Sequence, residues 1–172
     1  GPLIADVMPE ESIVSDESAT SSLIVTPHAL QAKPHDWLAL TGGSIGQGLP
    51  LAIGASIAKP DRPVITLHGD GGAMYTVQAL WTQARENLNI TNIIFSNRSY
   101  EILKIELDRV QAVETGERAA SMFSMDNPPI DWVNLAESMG VQGYKPKTVK
   151  EFKDVFSKSV NESGPSLIEI EI

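Results

Sequence analysis

The chain has 172 residues, 42% of them hydrophobic and 20% charged, enough for one well-buried domain and too few for two comfortable ones. Thirteen basic against twenty-two acidic residues leave a formal charge of −9, which argues against nucleic acid or an anionic membrane as partner and means that an anionic ligand needs a cation beside it. Cysteine is absent, so disulfides and thiolate metal sites are excluded and the composition suits a reducing cytoplasm. No apolar stretch reaches membrane-spanning length, and the first residues lack the basic-then-apolar pattern of a signal peptide. Gly1-Pro2 reads as a protease-cleavage scar, so the chain is expected to be an excised piece of a longer protein.

Short apolar runs alternate with helical patterns along the whole chain. A strand at Ser12-Ile13-Val14-Ser15 precedes a helix at about Ser21–Leu30. A strand at Trp37-Leu38-Ala39 precedes a helix at Gly48–Ala58. Val64-Ile65-Thr66-Leu67 is followed by a helix at about Thr76–Glu86, where Val77, Leu80, Trp81 and Ala84 recur at helical spacing and predict one buried face. Ile93-Ile94-Phe95 leads into a helix at Tyr100–Val110. Glu114–Pro129 is polar, Met-bearing and proline-ended, a loop expected to order on binding. Helices at Asp131–Ser138 and Thr148–Asn161 alternate with strands at Val141-Gln142-Gly143-Tyr144 and Leu167-Ile168-Glu169-Ile170. Unbroken apolar runs suit strands covered on both faces, so the fold class is α/β: a doubly wound, mostly parallel six-stranded sheet with helices on both faces.

Two strand ends carry the chemistry. His68-Gly69-Asp70-Gly71-Gly72 follows one apolar run, and Ser96-Asn97-Arg98-Ser99-Tyr100 follows the next. Asp70 and Asn97 offer oxygen, which Mg²⁺ prefers while keeping positions for phosphates and water. The glycines let backbone N–H groups at the next helix approach a phosphate. In parallel sheets ligands sit beyond the carboxyl ends of the strands, where both segments fall. A second glycine cluster, Thr41-Gly42-Gly43-Ser44-Ile45-Gly46-Gln47-Gly48, raises a dinucleotide-binding reading. Its spacing from Gly43 is G-x-x-G-x-G rather than G-x-G-x-x-G, which weakens that reading.

These segments, with Asp61-Arg62-Pro63-Val64-Ile65 and Ala79-Leu80-Trp81-Thr82, make Ile13–Ile172 resemble the C-terminal, diphosphate-binding domain of thiamine-diphosphate-dependent 2-keto-acid enzymes. That group includes the acetolactate synthase large subunit and benzoylformate decarboxylase. The early Asp16-Glu17-Ser18-Ala19-Thr20 is similar to a diphosphate-contacting turn of the decarboxylase branch. The resemblance implies thiamine diphosphate and Mg²⁺ as cofactors. Asp70, the Asn97 side chain and the Ser99 carbonyl would ligate the metal. Backbone N–H groups near Gly69, Gly71, Gly72 and Ala73, aided by a helix dipole and the Thr20 hydroxyl, would hold the diphosphate. Ile45 would wedge between the two cofactor rings, with the Gly43 carbonyl accepting from the aminopyrimidine, so that proton removal from the thiazolium becomes intramolecular. Tyr100 joins these as a cofactor-binding residue, and Tyr100, Leu103 and Lys104 either line the substrate side or simply pack.

Gly72 stands where the family often has Ser, and Ser96 where it often has Asn. The glutamate that activates the pyrimidine belongs to a separate pyrimidine-binding domain of the same or a neighbouring subunit, and no residue here is assigned a catalytic role. Residues 1–172 are therefore expected to be one domain of a three-domain enzyme, inactive alone, whose parent acts on a small 2-keto acid as a homodimer or homotetramer. A flavin in the parent would sit mainly elsewhere. An acetolactate-synthase-like transferase comes first. A benzoylformate-decarboxylase-like lyase is the alternative toward which Tyr75–Trp81 leans, and a non-catalytic nucleotide-binding module on the same scaffold is the reading from another class. Of the remaining residues, His68 reads as a strand-end histidine with a satisfied ring, His28 and His35 as surface residues, Trp81 and Trp132 as packing, and Glu101 and Glu106 as a solvated helix face.

Overall fold

A computed structural model describes residues 1–110 and 116–172. Six strands, β1 (Ser12–Glu17), β2 (His35–Ala39), β3 (Val64–Gly69), β4 (Ile90–Ser96), β5 (Gln142–Tyr144) and β6 (Ser166–Glu171), form one sheet in the order β2-β1-β3-β4-β6-β5. Every pairing is parallel. The helices are α1 (Pro2–Val7), α2 (Ser22–Ala29), α3 (Gly48–Ala58), α4 (Asp70–Ala73), α5 (Ala79–Arg85), α6 (Glu101–Arg109), α7 (Glu117–Ser121), α8 (Trp132–Ser138) and α9 (Val149–Ser159).

Alternate strand residues feed two cores, as expected of a sheet covered on both sides. On one face Val14, Ile65, Leu67, Ile93, Phe95 and Ile168 pack with Ile4, Val25 and Phe156 from α1, α2 and α9. On the other, Ile94 and Leu167 pack with Leu49, Leu80, Trp132 and Ala136 from α3, α5 and α8. All seven residues of β4 are buried. Fully buried side chains of this size are each worth about 1.5–3 kcal/mol of transfer free energy, which is why these apolar runs outweigh weak local propensities.

Three expectations need correction. The helix α1, which buries Ile4 against the sheet, has no counterpart in the elements read from sequence. The helix expected from Thr76 begins only at Ala79: residues 74–78 turn through short bonds such as Ala79 N–H to the Thr76 carbonyl (2.9 Å), while the Thr76 hydroxyl donates to the Gly46 carbonyl (2.9 Å). That detour rotates the buried face of α5 onto Ala79, Leu80 and Gln83. Trp81 is consequently 52% exposed, with the Arg85 guanidinium 5.0 Å above its ring. Gln83 goes inward because it exchanges hydrogen bonds with the buried Asn92, which also accepts from Thr66.

The loop expected at Glu114–Pro129 lies outside the described residues at Glu114 and Thr115. From Gly116 onward it carries α7, then returns to the β4 exit: Tyr100 N–H donates to the Phe123 carbonyl (2.9 Å) and Met125 N–H to the Arg98 carbonyl (2.8 Å).

Candidate functional site

The chain runs from β1 outward to β2 and then crosses back through α3 to β3 on the other side of β1. The order therefore reverses between β1 and β3, the position at which doubly wound sheets leave a crevice at their carboxyl ends. Four exits meet there: Glu17 to Ser21 from β1, the glycine run from β2, Gly69 to Ala73 from β3, and Asn97 to Tyr100 from β4.

Asp70 and the Asn97 turn are brought together as the spacing implied. Asp70 is 3% exposed; its Oδ1 accepts from Gly71 N–H at 2.9 Å and its Oδ2 from Arg98 N–H at 2.7 Å. Burial pushes its carboxyl above the usual range, and those backbone donors pull it back. Asn97 Oδ1 accepts from Ser99 N–H at 3.0 Å. Arg98, at φ 53°, takes a left-handed conformation costly to a non-glycine residue. Its guanidinium is tied to Glu171 and Asp126.

Asp70, Asn97, Ser99, Thr20, Gly69, Gly71 and Gly72 line one small chamber of about 60 Å³, together with Phe95 and Ile102. Among the described residues no three His, Cys, Asp or Glu side chains gather to hold a metal. The oxygen set here is instead one carboxylate, one carboxamide and a main-chain carbonyl, which suits a hard cation that retains ligands from an anion. The anticipated help from a helix dipole is small, because α4 is a single turn of four residues. Ala73 is fully buried at its end.

This chamber adjoins a larger, mainly apolar one of about 330 Å³, lined by Leu40, Ile45, Tyr75, Leu103, Met122 and Phe123. Tyr100 and Ile102 line both. The Tyr100 ring lies so close to Gly71 that a Cβ there would stand 2.7 Å from it. Ile45 is 54% exposed, so it is a side chain offered to the cleft and not part of the core. The Gly43 carbonyl accepts from Ile45 N–H at 2.9 Å and keeps a second lone pair. Lys104 pairs with Glu101 at 3.2 Å and does not line the cleft.

Glu17, named from sequence only within a diphosphate-contacting turn, has a role that sequence reasoning missed. It is 4% exposed and borders the apolar chamber. Its Oε1 accepts from Gly46 N–H and its Oε2 from Gly48 N–H at 2.6 Å. The signal was an acidic residue at the exit of the first strand, obscured because that strand was ended at Ser15. The bonds have a functional consequence. The start of α3, where a dinucleotide-binding loop would present its N–H groups to a pyrophosphate, is already occupied by the protein's own carboxylate. At the β3 exit one N–H, that of Gly71, is likewise taken, by Asp70 Oδ1.

His68 also departs from expectation. It is fully buried, and among the described residues neither ring nitrogen has a hydrogen-bond partner. Burial lowers its pKa to about 3, so the 3.9 Å approach of Nδ1 to Glu17 Oε2 is a contact with a neutral ring and not an ion pair.

Residues 19–170 match the family described as thiamine pyrophosphate enzyme, C-terminal TPP binding domain. The chain belongs to this family. It is 45% identical over 169 residues to a Mycobacterium tuberculosis protein named as an acetolactate synthase large subunit, IlvX, covering 98% of this chain and 33% of that one. It is 27% identical over 168 residues to benzoylformate decarboxylase of Pseudomonas aeruginosa, covering 98% and 30% respectively. Among solved structures, the thiamine diphosphate-dependent 4-hydroxybenzoylformate decarboxylase of Rhodococcus jostii RHA1 superposes with a TM-score of 0.85 at 32% identity, over 99% of this chain and 31% of the other. The chain thus spans about a third of these relatives. For a TPP-binding domain, the paired chambers have the right chemistry: oxygen ligands and glycine backbone at one end, and an apolar space for flat rings at the other. No helix among the described residues is long and apolar enough to cross a membrane.

Proposed function

We propose that this chain is the cofactor-anchoring part of a longer, acetolactate-synthase-like enzyme that decarboxylates a 2-keto acid and passes the remaining acyl unit to an acceptor. The observation that carries the reading is the 2.7 Å bond from Arg98 N–H to Asp70 Oδ2, which locks the two oxygen-bearing strand exits into one site beside the chamber of Ile45. Asp70, the Asn97 side-chain oxygen and the Ser99 carbonyl would hold Mg²⁺. Thr20 and the backbone of Gly69, Gly71, Gly72 and Ala73 would hold the diphosphate, with Tyr100 against its path to the rings. Thiamine diphosphate supplies the carbon nucleophile, and the protein supplies orientation and electrostatics. Ile45 and the Gly43 carbonyl would set the angle between the rings.

The exposed apolar side chains Ile102, Leu103 and Met122 rim the cleft and fit a surface that a pyrimidine-binding domain of the same or a neighbouring subunit would cover. The chain alone is accordingly expected to bind the cofactor weakly and to turn over no 2-keto acid. A benzoylformate-decarboxylase-like lyase is the second reading, favoured by the superposition on an aryl-2-keto-acid decarboxylase.

The test is Asp70→Ala in the full-length protein. Removing the carboxylate leaves an acidic chain facing a diphosphate with no bound cation, so Mg²⁺-dependent affinity for thiamine diphosphate should be lost while far-UV dichroism persists. Unchanged affinity by calorimetry overturns the metal assignment. Product analysis with pyruvate and benzoylformate then separates carboligation from simple decarboxylation.

A further inference from the structure

Ile45 is not anchored in either core. Its side chain is more than half exposed, and it sits in a run where Gly42, Gly43 and Gly46 all have positive φ, the conformation in which glycine gives the backbone most freedom. Short backbone bonds such as Ile45 N–H to the Gly43 carbonyl turn the run locally, and contacts from other elements tie it to the sheet. Gly46 is gripped on both sides, its N–H by Glu17 and its carbonyl by the Thr76 hydroxyl. Gly48 is gripped the same way from β1, its N–H by Glu17 and its carbonyl by the Ser15 hydroxyl at 2.9 Å.

Glu17 is an unusual residue to bury for packing alone. Among the described residues the one cationic-type side chain within ion-pair range is the neutral His68, and the carboxylate's hydrogen bonds come from backbone N–H groups. A buried carboxylate without a counter-ion is costly unless its hydrogen bonds are well made. The space around it is closed: a Cβ at Gly48 would meet His68 at 2.4 Å and Glu17 Oε2 at 3.0 Å, and one at Gly72 would meet Oε1 at 3.1 Å.

We propose that Glu17 is the positioning residue for Ile45: its buried carboxylate, accepting from Gly46 and Gly48, holds the glycine run so that the Ile45 side chain stands in the cleft. The proposal rests on the reading of Ile45 as the side chain that meets the cofactor rings. Glu17 acts through the run and touches no reacting atom.

The experiment uses the 172-residue chain labelled for NMR, without ligand. In the wild type a trans-hydrogen-bond coupling should connect the Gly46 and Gly48 nitrogens to the Glu17 side-chain carboxyl carbon. In Glu17→Gln, amide exchange at Gly46 and Gly48 should accelerate by about 10- to 150-fold, the range set by losing one charge-assisted bond. The Ile45 δ-methyl should lose order while those of Ile65 and Ile93 are unchanged, a pattern that a general loss of stability does not produce. Absent couplings, or exchange and Ile45 order unchanged in the variant, overturn the proposal. Should Glu17→Gln fail to fold, the wild-type couplings decide it. Adding Mg²⁺ and thiamine diphosphate to the full-length protein then tests the underlying reading: an Ile45 methyl unmoved by the bound cofactor refutes the ring assignment and leaves the Glu17 anchor standing.

Discussion

Gly48→Ala and Gly54→Ala make the same chemical change in one helix and should move stability in opposite directions. A Cβ at Gly48 lies 2.4 Å from His68 Cε1, 2.7 Å from Nε2 and 3.0 Å from Glu17 Oε2. The His68 ring is fully buried and Glu17 is bound to two backbone groups, so neither can swing aside. Overpacking a tight site costs about 1–3 kcal/mol, and weakening the charge-assisted bond to Gly48 N–H about 1.5–3 kcal/mol more. Replacing glycine in a helix returns at most about 1 kcal/mol. The net loss is about 1.5–5 kcal/mol. At Gly54 a Cβ meets nothing within 4 Å, so only the propensity gain of about 0.5–1 kcal/mol remains. Urea denaturation followed by dichroism, with the slope unchanged between variants, measures both. A Gly48→Ala chain as stable as Gly54→Ala would refute the packing argument at the Glu17–His68–Gly48 contact.

His68 predicts a pH dependence. Its folded-state pKa is held near 3 by burial, against 6.5 when free, so between those values the unfolded chain binds a proton that the folded chain refuses. Stability is fully present above about pH 6.5 and falls as the pH drops toward 3. Asp70, raised by burial, works in the opposite sense, so the comparison must be with His68→Gln; urea midpoints at pH 7 and pH 4 that differ equally in the two proteins would contradict the assignment. Ile45→Ala should change stability by no more than about 0.5 kcal/mol, as for an exposed side chain. In the full-length enzyme it should leave diphosphate anchoring intact yet slow proton exchange at the thiazolium C2 by about tenfold or more, and an unaltered NMR exchange rate would remove Ile45 from the ring site.

The linear sequence determined the architecture and the oxygen pair. Val64–Leu67 and Ile93–Phe95 are apolar without alternation because both faces of each strand are covered, and that requirement is local enough to read directly. Asp70 and Asn97 were legible for a related reason. In a parallel sheet every strand exit points to one edge, so two polar residues following adjacent apolar runs must become neighbours. Tertiary structure decided what depends on packing between distant segments. Glu17 looks like any acidic residue until β1, β3 and α3 close over it and leave Gly46 and Gly48 as its donors. Trp81 matches the helical period, but the turn that ties Thr76 to Gly46 shifts the phase of α5 and sends Gln83 inward to Asn92. The same packing seals His68 away from any partner and leaves Ile45, a residue whose chemistry suits a core, standing in the cleft. Periodicity reports which face of an element is buried, but only the assembled contacts fix the rotation of that element and the solvation of each polar group it carries.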